Sequence, residues 1–401
     1  MTDSNNPRAQ DYRDAIGVVL EGAQDNSRVG GLTHGFYRYP ARFSPTFARA
    51  AIDAFTDPGD LVLDPFMGGG TTVVEARTRG RRAYGSDASS LAVFVAKVKT
   101  TVLTDRELDA VTRWTSAQAE RSWSAISKGR AGEQSSGYPR NLNNQMTWRL
   151  RDFLQAALHD LDSLATPRAQ RFARAVLLRT AQWAVDTRRT PRDLPSVRQR
   201  LLHDVAEMTV GLKAFRLARH RGDRAACIRR RRQVVQRRSA ETLDKGRLLS
   251  QLGPPRLVLT SPPYPGVHVL YHRWQLAGGK ETPAPFWIAG EMDGLGASNY
   301  TLADRHDIDS YYRRHEAAFT SVAERCDSRT VVVQLIAFSE PETQLTWYLE
   351  SMERAGFREL GAVGALENRW RDVPGRKWYS AQRGRTPASR EIVLFHELAR
   401  R

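Results

Sequence analysis

The stretch Leu61-Val-Leu-Asp-Pro-Phe-Met-Gly-Gly-Gly-Thr-Thr72 decides how the rest of the chain is read. Asp57-Pro-Gly-Asp60 before it is a turn, and the short apolar run Leu61 to Leu63 reads as a buried strand. Asp64 to Gly70 is then a loop, and Thr71 to Arg79 a helix. A strand, a glycine-rich turn and a helix start together make a concave nest of N–H groups that a ligand approaches closely. The turn lacks the Gly-Lys-Ser/Thr of a phosphate loop and does not have GxGxxG spacing. Asp64 at the strand end would repel a pyrophosphate. It suits a ligand with a cationic centre, such as the sulfonium of S-adenosyl-L-methionine.

Downstream, Arg82-Ala-Tyr-Gly-Ser86 reads as a second strand ending at Asp87. An acid about 20 residues past such a turn is placed to accept hydrogen bonds from a ribose. Asp87 is equally suited to cap a helix over Ala88 to Lys99. The other stretch of this grammar is Leu257-Val-Leu-Thr-Ser-Pro-Pro-Tyr264. Two prolines offer no N–H to a ladder, so the strand stops there. Its end presents the Ser261 hydroxyl, the Pro262 and Pro263 carbonyls and the aromatic Tyr264. In an open α/β sheet that edge is where ligands bind.

Around these motifs the chain divides into four parts. Residues 1–30 read as a loosely attached arm with one short helix, Arg8 to Leu20. Residues 31–104 hold the glycine turn, preceded by an aromatic segment, His34 to Pro45, and a helix over Thr46 to Phe55 capped near Ser44. Residues 105–232 lose strand signals. Apolar residues recur there at three and four, as in Leu108, Val111 and Trp114, or Phe172, Ala175 and Val176, which predicts an all-helical insertion. Ser127 to Asn144, rich in Gly, Ser and Asn, reads as a loop within it. Residues 233–401 return to strands and helices: strands at Gln233 to Val235, Leu257 to Thr260, Thr330 to Ile336, Phe357 to Val363 and Glu391 to Phe395, and helices at Asp307 to Arg325 and Thr343 to Ala355. Gly278 to Leu302 reads as a long surface loop.

The chain of 401 residues carries a formal net charge of +17. So basic a balance points to nucleic acid. Arg229, Arg230, Arg231 and Arg232 lie in an arginine run from Arg216 to Arg238, and guanidinium forks suit phosphate. Arg273 and Trp274 follow the catalytic-strand candidate. Arg376, Lys377 and Trp378 sit in a second basic and aromatic loop of the kind that stacks on bases. The two cysteines, Cys227 and Cys326, have no metal-ligand or CxxC spacing, so neither a metal site nor a disulfide is expected. No apolar run approaches the roughly 20 residues of a membrane span. The expectation is a soluble cytoplasmic protein.

With both stretches placed, the chain resembles the DNA amino-methyltransferases, which move a methyl group from S-adenosyl-L-methionine to cytosine N4 or adenine N6. Asp64 to Thr72 is similar to that family's cofactor loop, usually Asp-Pro-Phe-x-Gly-Ser-Gly-Thr-Thr; Gly69 stands where Ser is usual. Thr260 to Tyr264 is similar to its catalytic tetrapeptide with the preceding residue, and Tyr39-Pro-Ala-Arg-Phe43 to the segment ahead of the loop. The resemblance covers about Gly31 to Thr100 and Val234 to Phe395. It implies a Rossmann-like α/β fold, a mostly parallel seven-stranded sheet with helices on both faces and an all-helical insertion. The cofactor-binding set it implies is Tyr39, Pro40, Phe43, Asp64, Phe66, Gly68, Gly70, Thr71, Thr72, Asp87 and Thr260. The catalytic set is Ser261, Pro262, Pro263 and Tyr264. Ser239 falls where the family often has an acid touching the cofactor adenine.

The chemistry of these residues agrees. An exocyclic amine conjugated with its ring is a poor nucleophile and needs acceptors for its protons; Ser261 Oγ and the Pro262 carbonyl qualify. The target base must leave the duplex to be reached, and Tyr264 would stack on it. Neither cysteine follows a proline, which argues against the cytosine-C5 activity. Serine at the head of the tetrapeptide is commoner among cytosine-N4 enzymes, so cytosine N4 in double-stranded DNA is the expected target, with a cognate restriction endonuclease as a candidate partner. Adenine N6 on the same scaffold is the alternative. RNA methylation, a non-catalytic DNA-binding protein and a nicotinamide oxidoreductase are the other readings.

Overall fold

The computed structural model describes residues 7–27, 29–39, 42–128, 137–142, 144–225, 233–265, 273–276, 280–293, 308–360, 366–373 and 390–399. Strands β1 (Leu61–Asp64), β4 (Leu257–Thr260) and β7 (Val331–Ile336) are buried at every position. Short, mainly apolar runs buried at every position are parallel strands covered on both faces. They lie side by side, Val62 opposite Leu257 and Val258 opposite Val332. Outside them on one flank are β2 (Arg82–Asp87) and β3 (Gln233–Arg237), also parallel. On the other flank β10 (Arg390–Leu398) runs antiparallel to β7. The order across the sheet is β3-β2-β1-β4-β7-β10-β8, where β8 is Phe357–Glu359. The described sheet has eight strands where seven were expected, because β9 (Trp370–Asp372) pairs with one part of β10 and β8 with another. Chain order reverses between β1 and β4. Ligands bind at the carboxyl ends of the strands at such a switch point.

Alternation along the strands sorts two cores. Leu61, Leu63, Val258, Val332 and Ile336 face a layer built with α12 (Ile308–Ala323) and α13 (Pro341–Arg354). Val62, Leu257, Leu259 and Val333 face α1 (Pro7–Ala23), α2 (Pro45–Phe55), α3 (Thr71–Thr78) and α4 (Ser90–Thr100). The N-terminal segment, expected as a loose arm, is therefore part of the fold: Ile16, Val19 and Ala23 of α1 are buried against this layer. Each large apolar side chain so buried contributes roughly 1.5–3 kcal/mol. The α2 start is as expected, with Ser44 accepting the Phe47 N–H at 3.1 Å.

Between β2 and β3 the chain is helical: α4, α5 (Asp105–Glu120), α6 (Trp123–Lys128), α7 (Trp148–His159), α8 (Pro167–Val185) and α9 (Leu194–Ala225). Leu108, Phe153, Phe172, Val176, Leu201 and Met208 form a third core. Helix α4 belongs to two cores at once, giving Val93 and Ala96 to the sheet side and Leu91, Phe94 and Val98 to the helical side. A buried ion pair, Arg77 of α3 with Asp223 of α9, adds a second attachment. Of the predicted loop Ser127 to Asn144, residues 129–136 and 143 lie outside the described residues, while Tyr138 and Leu142 are buried in the helical core. Gly278 to Leu302 is not wholly loop: a hairpin of β5 (Trp274–Leu276) with β6 (Lys280–Thr282) leads into α11 (Ala284–Ala289), whose Phe286 and Ile288 are fully buried. Ala284 to Ala289 is too short for a helical period to show, and its apolar residues are drawn in by α8. A short helix, α10 (Arg247–Ser250), precedes β4. Among the described residues no helix is long and apolar enough to cross a membrane.

Candidate active site

The two motif-bearing strands end together. Thr260 Oγ1, on the last residue of β4, donates to Asp64 Oδ1, on the last of β1, at 2.7 Å. Thr72 Oγ1 donates to Asp64 Oδ2 at 2.6 Å, and the Phe66 N–H to Oδ1 at 3.2 Å. Asp64 is 1 % exposed, and burial pushes its carboxyl up to about 7 against the pull of these hydrogen bonds. The sequence reading made it an anion facing a cationic ligand. Its position instead makes it a brace between β1, β4 and α3, and burial disfavours its charged form.

The glycine turn is held from both sides. Asp87 accepts the Gly68 N–H at 2.9 Å and the Ser89 N–H at 2.9 Å. The cap of α4 is Ser89, so Asp87 is not spent as the N-cap and its half-buried carboxylate stays at the β2 end. Burial pushes that carboxyl up to about 6. Gly70 has φ +76°, and a Cβ there would lie 2.9 Å from Ala96 Cβ, so the turn closes on α4 only with glycine. Lys99 of α4, 1 % exposed, donates Nζ to the Gly69 carbonyl at 2.7 Å; burial holds its ammonium well below the usual lysine range. On the opposite side stands Tyr39, buried, with its side chain against Gly68 and Gly69. Thr71 opens α3 and is buried, while Phe66 is half-buried, its ring 6.3 Å from that of Phe319.

Beyond β4 three of the four residues of the tetrapeptide are tied by hydrogen bonds. Tyr311 Oη donates to the Pro263 carbonyl at 2.8 Å. No donor among the described residues reaches the Pro262 carbonyl. Ser261 Oγ, half-buried, lies 3.2 Å from Tyr264 Oη. Tyr264 Oη donates in turn to Glu391 Oε1 at 2.8 Å, and Arg371 grips Glu391 Oε2 through Nε at 2.8 Å and Nη2 at 2.5 Å. The Tyr264 ring is 2 % exposed, packed in the core beneath α12 and α13. This corrects the expectation that its face is free to stack on a base: the bond to Glu391 pulls the phenol inward.

Other expected site residues lie elsewhere. Phe43 is buried against Phe47 at 5.3 Å between ring centroids, a core contact. Trp274 is also no DNA-facing aromatic: it is 2 % exposed in the helical core, with Nε1 donating to Tyr37 Oη at 3.0 Å. Arg273 pairs with Glu281 at 2.9 Å. Arg216, Arg219 and Arg237 of the arginine run pair with Asp105, Asp223 and Asp293, acids that distance along the sequence hides in two cases out of three. Pro40, Arg229, Arg230, Arg231, Arg232, Arg376, Lys377 and Trp378 lie outside the described residues. Ser239 caps a short helical turn by accepting the Glu241 N–H at 3.3 Å. Sequence reading missed Lys99, Glu391 and Arg371. Lys99 sits in an apolar helical run, where a lone lysine reads as a surface residue.

Residues 10–97 match the family model described as DNA methylase, of the N6/N4 type. The type II methyltransferase M.MvaI of Kocuria varians is 34% identical over 86 residues, and M.MjaII of Methanocaldococcus jannaschii 35% over 66. These matches cover 21% and 16% of this chain, and only 19% and 12% of the two relatives. The rRNA methyltransferase AviRa from Streptomyces viridochromogenes superposes with a TM-score of 0.28 at 12% identity, over 81% of each chain, too loosely to bear on the fold. The sheet itself, mixed and mostly parallel, fits a Rossmann-like methyltransferase. Residues 10–97, which carry Tyr39, Asp64, the glycine turn and Asp87, belong to the DNA amino-methyltransferase family.

Proposed function

We propose that this protein is an S-adenosyl-L-methionine-dependent DNA methyltransferase acting on the exocyclic N4 of a cytosine extruded from double-stranded DNA. The observation that carries the reading is the Thr260–Asp64 bond, which sets the glycine turn and the Ser261 tetrapeptide on adjacent strand ends. One such edge offers a nucleoside site and an amine-accepting site side by side.

The residues present suit the cofactor. Asp87 accepts backbone N–H groups of Gly68, Ala88 and Ser89, and a carboxylate with about four acceptor sites can still take a ribose hydroxyl. The Gly68 to Gly70 turn, on which Tyr39 and Ala96 close, leads directly into the start of α3. Asp87, Gly68 and Phe66 would hold the adenosyl part, with Asp64, Thr72 and Thr260 keeping the turn in place. Bound there, the cofactor supplies a methyl group activated on a sulfonium.

The tetrapeptide supplies what the amine lacks. Ser261 Oγ and the Pro262 carbonyl accept its two N–H bonds, which favours a tetrahedral nitrogen with its lone pair free. Pro263, whose carbonyl is engaged by Tyr311, stiffens the edge instead. Holding the nitrogen in line with the methyl supplies most of the rate, and no covalent intermediate on the protein is required. Base extrusion exposes the amine. The net charge of +17 supports a DNA partner through phosphate contacts, with the steep salt dependence such contacts bring. The serine at position 261 supports cytosine over adenine, and a restriction endonuclease of the same specificity is the natural partner of such an activity.

The test is transfer of labelled methyl from S-adenosyl-L-methionine to double-stranded DNA, with RNA in a parallel arm. Transfer to DNA that disappears in Ser261→Ala, while cofactor binding persists, supports the reading. Transfer only to RNA, or full activity in Ser261→Ala, refutes it.

A further inference from the structure

The Tyr264 hydroxyl lies between a serine that must meet the substrate and a carboxylate locked in an ion pair. We infer that Glu391, acting through Tyr264, fixes Ser261 as a hydrogen-bond acceptor toward the substrate amine. The inference rests on the methyltransferase reading and adds two positioning residues to it.

Donor and acceptor roles follow along the chain of bonds. Both Nε and Nη2 of Arg371 donate to Glu391 Oε2, and Arg371 is itself anchored by Nη1 on the Ala23 carbonyl at 2.6 Å. An ion-paired carboxylate has acceptor oxygens only. The 2.8 Å bond from Tyr264 to Glu391 Oε1 therefore uses the one phenolic proton. What remains on Tyr264 Oη is lone pairs. Across 3.2 Å the Ser261 hydroxyl is then the donor, and its proton points at Tyr264 rather than at the substrate. Ser261 Oγ is left with lone pairs on its free side, which is what an N–H needs.

This orientation matters more for serine than for an acid or amide. A carboxylate or carboxamide oxygen at the head of the tetrapeptide is an acceptor by constitution. A hydroxyl is both donor and acceptor, and it rotates to suit. Unpinned, it can turn its proton toward the amine nitrogen and occupy the lone pair that must attack the methyl. Glu391 and Arg371 are 8 % exposed or less, so water does not readily replace them in this duty. Neither touches the reacting atoms.

The experiment is steady-state kinetics of the full chain on double-stranded DNA with labelled S-adenosyl-L-methionine, for Tyr264→Phe, Glu391→Gln and the double variant. Tyr264→Phe removes one oxygen and keeps the ring in its buried seat. Glu391→Gln keeps the shape but offers a donor where only an acceptor stood. The expected result is a loss of about tenfold or more in kcat for each, KM for DNA and cofactor unchanged within about twofold, and a double variant no worse than the poorer single. Wild-type kcat in Tyr264→Phe, or losses that multiply in the double variant, would overturn the inference. Should Glu391→Gln lose its cooperative melting transition, Tyr264→Phe alone decides. A wild-type chain that methylates no DNA overturns the proposed function itself, a result distinct from an active wild type indifferent to Tyr264→Phe.

Discussion

Thr260 Oγ1 lies 2.7 Å from Asp64 Oδ1, and this one bond joins the ends of the two strands on which the proposed activity depends. Residues 196 positions apart in sequence thus form a single edge. The carboxyl end of β1 carries the glycine turn proposed to hold the cofactor, that of β4 the residues proposed to accept the amine, and Asp64 bridges the two.

Asp64 is a brace that burial makes costly to ionise. Its carboxyl stands at about 7 in the fold against an ordinary 3.8, so the folded protein keeps a proton that the unfolded chain releases. The contribution of this group to stability is present in full below pH 4 and is lost as pH rises to about 7. Asp64→Asn is neutral at every pH and of the same shape. Its Tm is expected above that of the wild type at pH 8, by an amount corresponding to at most about 4 kcal/mol, with the gap closing toward pH 4. Calorimetry across that range checks it; a variant less stable than wild type at pH 8 contradicts the cost assigned to ionising the buried carboxyl.

Asp87 is expected to act on the cofactor alone. Asp87→Ala removes the carboxylate that fixes the Gly68 N–H and faces the proposed ribose site. The dissociation constant for S-adenosyl-L-methionine should rise by about tenfold or more, as for a lost charged hydrogen bond, with DNA affinity unchanged. Titration calorimetry for the cofactor and a fluorescence binding assay for DNA separate the two.

Position 69 is closed to side chains. A Cβ on Gly69 would come within 2.9 Å of Tyr39 Cβ and 3.3 Å of Lys99 Nζ. The backbone of Tyr39 fixes that first atom, so Gly69→Ala is expected to cost about 1–3 kcal/mol and to weaken cofactor binding. Gly69→Ser, which would restore the residue usual in the family loop, carries the same clash. Denaturant melts of both variants test this, and wild-type stability in either contradicts it.

Helix α9 is tied to α3 by charge. Asp223→Ala leaves the Arg77 guanidinium, 1 % exposed, without its acid. Removing one member of a buried pair costs about 3–5 kcal/mol. The loss should appear in urea melts as a lower midpoint with unchanged slope.

Much of this arrangement is written in local sequence. Leu61 to Asp64 and Leu257 to Thr260 announce buried strands because three apolar residues run up to a polar last residue and prolines stop the ladder beyond it, and Ser44 announces α2 by its cap. The helical character of the insertion follows from apolar spacing. Other features depend on partners distant in the chain. Glu391 reads as the polar start of a strand, and nothing near it names Tyr264, 127 residues earlier, as its partner. Trp274 beside Arg273 looks like a nucleic-acid contact until Tyr37, 237 residues away, supplies a buried acceptor for its indole. The N-terminal helix was legible as a helix from Arg8 to Leu20, but its docking depends on α2 and the far edge of the sheet, through Ile16, Val19 and the Ala23 carbonyl.

The central claim is that this chain places a methyl group on an exocyclic amine of DNA. Nucleoside mass spectrometry on DNA from a methylation-free host expressing the protein tests it directly. N4-methylcytosine that is present with the wild type and absent with Ser261→Ala is the predicted result. DNA without methylated exocyclic amines contradicts the account, and N6-methyladenine alone contradicts its choice of base.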